Sequence, residues 1–269
     1  LRVRYGEALA CAGLTNDAVE QFRAALKVDK NHTGAYLDLG MLAMQADERK
    51  SAEGYFTKVV DLTEGAQYET INQRREQALF QLGTIALDDR RYEDAAGFFK
   101  AALRIRKDAS DTYYLLAQSF RGMDDDNAAL KQLDAALTFD PNFAEAHYLY
   151  GTILADRKDV VNAAIHLRKA ADLAPERKEP AEALAKLGSA SDAYDRAKTA
   201  LAQKRYGEAI DAILLARALD PKSVDAALLQ ARILIAKNNT KAAKSIIEEA
   251  LVLDAKNAEA LALKAQLAK

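Results

Sequence analysis

Seven alanines recur along this chain at nearly constant spacing: Ala18, Ala52, Ala95, Ala129, Ala163, Ala209 and Ala243. The gaps between neighbours are 34, 43, 34, 34, 46 and 34 residues. Four gaps are identical, and the other two exceed them by 9 and 12. A fixed period of this length belongs to a stack of like units that bury their apolar faces against one another, not to one globular core. It also bears on function, because such stacks seldom do chemistry and usually present an extended surface.

Each alanine has companions in register. Four residues on stands Phe22, Phe56, Phe99, Leu133, Leu167, Ile213 or Ile247. Seven on comes a second small residue: Ala25, Val59, Ala102, Ala136, Ala170, Ala216 or Ala250. Twelve before lies Gly6, Gly40, Gly83, Ala117, Gly151, Ala197 or Ala231. Twelve after, proline appears as Pro141, Pro175 and Pro221. Spacings of 3, 4 and 7 place side chains on one helical face, where small residues let helices approach and the large one fills the gap beside them. In Tyr92–Ile105, for example, Ala95, Phe98, Phe99, Ala102 and Leu103 form an apolar stripe, with Glu93, Asp94, Lys100 and Arg104 off it. Proline beyond such a helix cannot continue it and turns the chain into the next unit.

This pattern resembles the tetratricopeptide repeat, a 34-residue helix–turn–helix unit with a G…A…F…A…P signature. The resemblance covers nearly the whole chain. The family's usual tryptophan is missing, and Leu79, Tyr113, His147 and Ala227 stand in its place. The implied fold is all-α: a right-handed superhelical solenoid of antiparallel helix pairs, built as a single array over residues 1–269. The register predicts repeats at about 1–32, 33–66, 76–109, 110–143, 144–177, 190–223 and 224–257, with a closing helix over 258–269. Leu1 falls about two positions late, which predicts further residues N-terminal to it.

Two insertions interrupt the register. In residues 67–75, Ile71 leads into Ala78, Leu82 and Ile85 at helical spacing, as expected of a first helix lengthened at its start. In residues 178–189, Pro180 suits a first helical position, Gly188 suits the residue after a helix end, and Ala181, Leu184 and Leu187 make a short stripe. An additional short helix is expected there. Each insertion is expected to change local curvature, and either could serve as a partner's docking edge.

Composition narrows the classes further. Apolar residues make up 50% of the chain and aromatics only 7%, as suits an alanine-rich helical stack. A net charge of −2 without a basic stripe gives no footprint for nucleic acid. No apolar run approaches the ~18 residues of a membrane span, so membrane insertion by this segment is not expected. Cys11 is the sole cysteine, which excludes an intrachain disulfide; its place on the first helix is read as a packed thiol.

No catalytic constellation emerges. His32 is read in a turn, His147 at a packing place and His166 inside a second helix, none with a second histidine or cysteine at metal-ligand spacing. No nucleophile elbow or phosphate loop is present. Asp124, Asp125 and Asp126 lack the spacing and closing glutamate of a calcium loop and read as a solvated turn, as do Asp88, Asp89, Arg90 and Arg91. An enzyme is not expected, nor a metal or cofactor.

In the tetratricopeptide family the first helices of successive repeats line a concave face that often holds an extended peptide. The resemblance implies inner-facing second, fifth, sixth, ninth and twelfth places. The fifth gives Leu37, Phe80, Tyr114, Tyr148, Tyr194 and Leu228, an aromatic in four consecutive repeats. The ninth gives Met41, Thr84, Gln118, Thr152, Lys198 and Arg232. Aromatics beside polar side chains could grip an extended chain, since tyrosine gives area and a hydroxyl at little rotamer cost; equally, these rings could only pack against the next repeat. One subfamily clamps a C-terminal carboxylate with lysines, asparagines and an arginine. Here Phe80, Thr84 and Leu115 occupy places that would need Lys, Asn and Asn, which disfavours that mode. Lys198 and Arg232, beside Asp195 and Asp225, suggest a polar end to the groove.

The expected function is therefore a protein-interaction module or adaptor holding an extended peptide or helix. The alternative is a self-associating scaffold, motivated by Leu261, Leu263, Ala265 and Leu267 in the closing helix, which are not confined to one face.

Overall fold

A computed structural model describes residues 1–66 and 68–268. Gln67, at the start of the first insertion, and Lys269, at the end of the expected closing helix, lie outside the described residues. Among those described there are sixteen helices and no strand. The chain divides into two compact bodies, Leu1–Pro141 and Asn142–Lys269.

The first body holds four hairpins: α1 (Arg2–Cys11) with α2 (Thr15–Val28), α3 (Thr33–Gln45) with α4 (Arg49–Leu62), α5 (Glu69–Asp88) with α6 (Tyr92–Ile105), and α7 (Ser110–Gly122) with α8 (Asp126–Phe139). The second holds α9 (Ala144–Asp156) with α10 (Val160–Leu173), a short α11 (Lys178–Lys186), α12 (Ala190–Ala202) with α13 (Tyr206–Leu219), α14 (Val224–Ala236) with α15 (Thr240–Leu253), and α16 (Ala258–Gln266).

Each hairpin closes the same way. One residue takes the left-handed conformation: Gly13, Asp47, Arg90, Asp124, Lys158, Lys204 and Asn238, with φ between 56° and 76°. These stand five residues before the seven alanines and repeat their spacing. In the second hairpin Asp47 N–H donates to Met44 O and Glu48 N–H to Ala43 O, the paired bonds that satisfy orphan carbonyls at a helix end. Side chains begin several of the following helices: Asp125, Asp159 and Asn239 accept backbone N–H groups at the starts of α8, α10 and α15.

The alanines are the points of closest approach. All seven are fully buried, and the large residues four positions on are at most 1% exposed. Where that residue is phenylalanine, the facing first-helix residue is glycine: a Cβ on Gly6, Gly40 or Gly83 would lie 2.7, 2.5 or 2.6 Å from the ring of Phe22, Phe56 or Phe99. Opposite the smaller Leu133, Ile213 and Ile247 stand Ala117, Ala197 and Ala231, with room for the methyl.

In the first body successive hairpins stack through the third, seventh and tenth places of the first helices. Ala35, Leu39 and Leu42 of α3 share a core cluster with Ala18 and Phe22 of α2. Ala78, Leu82 and Ile85 of α5 do the same with Ala52, Phe56 and Val59 of α4. The extra turns that make α5 a 20-residue helix are tied backwards: Arg74 donates to Thr33 Oγ1 at 3.2 Å, and Arg75 to Val60 O at 2.6 Å. In the second body α11 changes the stacking. α10 packs against α11 and directly against α13. Arg168 of α10 donates to the last carbonyls of α13, Ala218 O at 3.3 Å and Leu219 O.

One residue departs from its sequence reading. Cys11 is exposed, not packed. It is the last residue of α1, the place held by Gln45, Asp88 and Asp156 in other first helices, beyond the turn that faces the neighbouring helix.

Candidate functional site

The first helices carry the side chains expected to face a groove, and the two bodies hold them separately. In the first body α3 touches α5 and α5 touches α7, so Leu37 and Met41, Phe80 and Thr84, and Tyr114 and Gln118 lie on successive neighbouring helices. Leu37 is only 9% exposed and belongs to the core around Phe56, so it offers a partner little surface. Met41, one turn on, is 40% exposed. Phe80 is half-buried and meets the edge of Phe99 with centroids 6.1 Å apart. Tyr114 and Gln118 are also half-buried. The Thr84 hydroxyl donates to Phe80 O of its own helix at 3.0 Å, which commits its proton.

In the second body Tyr148 and Tyr194 are half-buried against the same core cluster, which also contains Leu167, Ile213 and Ile233. Burial and the Asp225 carboxylate push the Tyr194 phenol above its ordinary range. Thr152 donates to Leu149 O at 2.8 Å. Lys198 is exposed. Arg232 pairs with Glu259 of α16, so its charge is answered within the fold by a residue that reading along the groove did not single out. The fifth-place rings thus split their surface between packing and solvent.

Two further clusters were missed in the sequence. Asp38, at the sixth place of its repeat, has its carboxyl pushed up to about 6, first by burial and then by Glu7, with Arg74 and His32 opposing. Its Oδ2 is buried with no hydrogen-bond partner. His32, expected in a turn, is the N-cap of α3 and accepts from Ala35 N–H at 3.1 Å through Nδ1. The second cluster is His147 and His166. Nineteen residues apart, they meet across the α9–α10 hairpin with Nδ1 atoms 3.0 Å apart, and Tyr150 stacks on His166 at 4.1 Å. One nitrogen of such a contact must carry the proton and the other accept it. The spacing is invisible as a metal motif because the two residues are brought together by the hairpin. Among the described residues no group of three or more His, Cys, Asp or Glu is placed to hold a metal ion. None of the described helices is long and apolar enough to cross a membrane.

Hairpins that repeat one turn, one small–large contact and one stacking face define an all-α solenoid of helix pairs. The chain belongs to the tetratricopeptide-repeat family: one of its sequence patterns matches residues 86–153 and 200–267, half of the chain, and another matches residues 6–69. Members of this family are generally non-catalytic protein-interaction modules. The sequence matches no curated protein. Among solved structures, MamA is 20% identical over 64% of this chain and 95% of its own, with a TM-score of 0.56. A tetratricopeptide-repeat protein from Parabacteroides merdae is 12% identical over 100% of this chain and 98% of its own, with a TM-score of 0.57. YrrB is 18% identical over 92% of this chain and 99% of its own, with a TM-score of 0.50. At these identities the likeness is one of fold.

Proposed function

We propose that the chain is a non-catalytic adaptor whose first helices bind an extended peptide or a helix of a partner protein. The observation that carries this is the recurrence of a half-exposed ring at the fifth place: Phe80 and Tyr114 in one body, Tyr148 and Tyr194 in the other. A ring fixed on its inner edge by the core and open on its outer edge offers contact area with little entropy left to lose. The neighbours Met41, Gln118 and Lys198 add a thioether, an amide and a charge beside the rings, while Thr84 and Thr152 serve only as acceptors. YrrB, which shares the fold, is described as having an unusual peptide-binding site. The gap of 34 between Ala129 and Ala163 spans the boundary between the bodies, which supports one repeat register along the chain. The test is selection of binders from a random peptide library, followed by Tyr114→Ala and Tyr148→Ala separately. At least one is expected to weaken binding about tenfold, ~1.4 kcal/mol. Unchanged affinity for both, with unchanged helicity, would sink the reading.

A second reading, self-association through the C-terminal end, draws on Leu261, which is 48% exposed on α16, with Leu263 and Leu267 only partly covered. Sedimentation over a concentration series separates the two; a monomer throughout removes the scaffold.

A further inference from the structure

The stacking face of α12 departs from the pattern of α3, α5, α7 and α14. At the third, seventh and tenth places α3 has Ala35, Leu39 and Leu42, and α5 has Ala78, Leu82 and Ile85, all at most 7% exposed. α7 buries Thr112, Leu116 and Ser119 there, and α14 keeps buried Ala226 and Ile233 at the two ends of the row. In α12 the same places are Asp192, Arg196 and Thr199, all exposed. The cause is α11, which takes the position against α10 that a first helix normally fills, while α10 reaches past to α13. The face of α12 that would be buried is left open as a cleft of about 730 Å³, within the range of ligand-binding pockets.

The cleft's chemistry is that of a receptor for cations with aliphatic stems. Its walls carry the carboxyls of Asp192, Asp195, Glu208 and Asp211 against the guanidiniums of Arg196 and Arg205. Arg205 is already paired with Glu208 along α13, and Asp192 accepts from Ser189 Oγ at the start of α12. That leaves Asp195 and Asp211, both exposed in the lining, without an ion pair among the described residues. Between them Ala200, Ala212, Leu215 and Val160 supply an apolar lining. An arginine or lysine side chain can lay its stem on such a lining and keep its charge at the carboxylates.

We propose that this cleft, a site separate from the aromatic rings of the first helices, docks a segment of a partner protein in which arginine or lysine alternates with aliphatic residues. The insertion that creates α11 is then the device that opens the site, and polar residues at the third, seventh and tenth places keep it from closing.

The chain has no tryptophan, so Val160→Trp places a single indole at the cleft's edge. The probe is a short acetylated peptide of alternating leucine and arginine; its control replaces arginine by glutamate. The expected result is a saturable shift in indole emission with the first peptide, weakened by added salt, and none with the second. Asp195→Lys with Asp211→Lys, both exposed positions, is expected to weaken binding at least about tenfold, both by emission and by anisotropy of the labelled peptide on the otherwise unaltered chain. Tyr114→Ala and Tyr148→Ala are expected to leave this binding unchanged, which separates it from the aromatic-row reading. An equal response to both peptides, or binding untouched by the charge reversal, overturns the proposal. So does anisotropy showing binding that leaves the indole emission unmoved.

Discussion

Three kinds of residue carry this fold's tolerances. The first is the left-handed residue of each hairpin. A non-glycine residue there is strained by about 1 kcal/mol, and glycine relieves it while losing more chain entropy on folding. Lys158 has φ 64° and is exposed, so Lys158→Gly is expected to stabilise the protein by about 0.5 kcal/mol, read as a higher urea midpoint. The second is the glycine opposite phenylalanine. Gly83→Ala gains about 1 kcal/mol of helix propensity. Its methyl, however, would lie 2.6 Å from the Phe99 ring, which is fully buried and cannot yield. Overpacking of this kind costs about 1–3 kcal/mol, so the variant is expected to be net less stable. Gly83→Ala with Phe99→Leu recreates the Ala117–Leu133 pair and is expected to recover part of the loss. The third is Asp38. Its folded carboxyl titrates near about 6 against an ordinary 3.8, so the folded state binds the extra proton between those values and stability falls as pH rises through about 6. Asp38→Asn is expected to flatten that slope and to be more stable at pH 7 by about 1–2 kcal/mol, after discounting for partial exposure; denaturation at pH 4 and pH 7 measures it. The first two kinds follow from the repeat's register, since the turn and the small–large contact are local. Asp38 was not legible as a special residue, because its field comes from α1 and α5 as well as from its own cap residue, His32.

At the scale of elements, helices and their ends are written locally. Gly188 follows the end of α11 and has a positive φ of 116°, whereas Pro180 is the third residue of the helix and not its first, still inside the opening turn, where its missing N–H leaves no intrahelical bond unmade. What α11 does to its neighbours is not local. It buries Pro180 and Leu184 and so holds the place that α12 vacates. Leu184→Ala is expected to cost about 2–3 kcal/mol, with loss of hydrogen-exchange protection in α10 and α11 as the readout. The open side of α12 was nevertheless readable with the register in hand: Asp192, Arg196 and Thr199 are polar where equivalent places are mostly small or apolar. Reading only the inner-facing places passed over it. The His147–His166 contact was hidden for a related reason, since nineteen residues in sequence become one contact only once α9 and α10 form a hairpin.

For the molecule as a whole, stacked hairpins couple mainly to their neighbours, so a lesion should fade with distance along the stack. Ile247→Ala, at a fully buried site in α15, is expected to lower exchange protection in α14–α16 and to leave α2–α6 unaltered. The sequence by itself determined the fold class, the spacing of the turns and the residues of closest approach. All of these depend on contacts within one helix pair, where 3.6-residue periodicity translates sequence into a face. Tertiary structure alone decided how much of each fifth-place ring remains exposed, which carboxylates answer Arg106 and Arg232, and where stacking fails. Those outcomes depend on burial and charge contributed by other hairpins: Glu259 reaches Arg232 from α16, and the cleft beside α12 exists because α10 meets α13 instead. The repeat's alanines set the distance between helices, but the departures from the repeat set which surfaces stay free to bind.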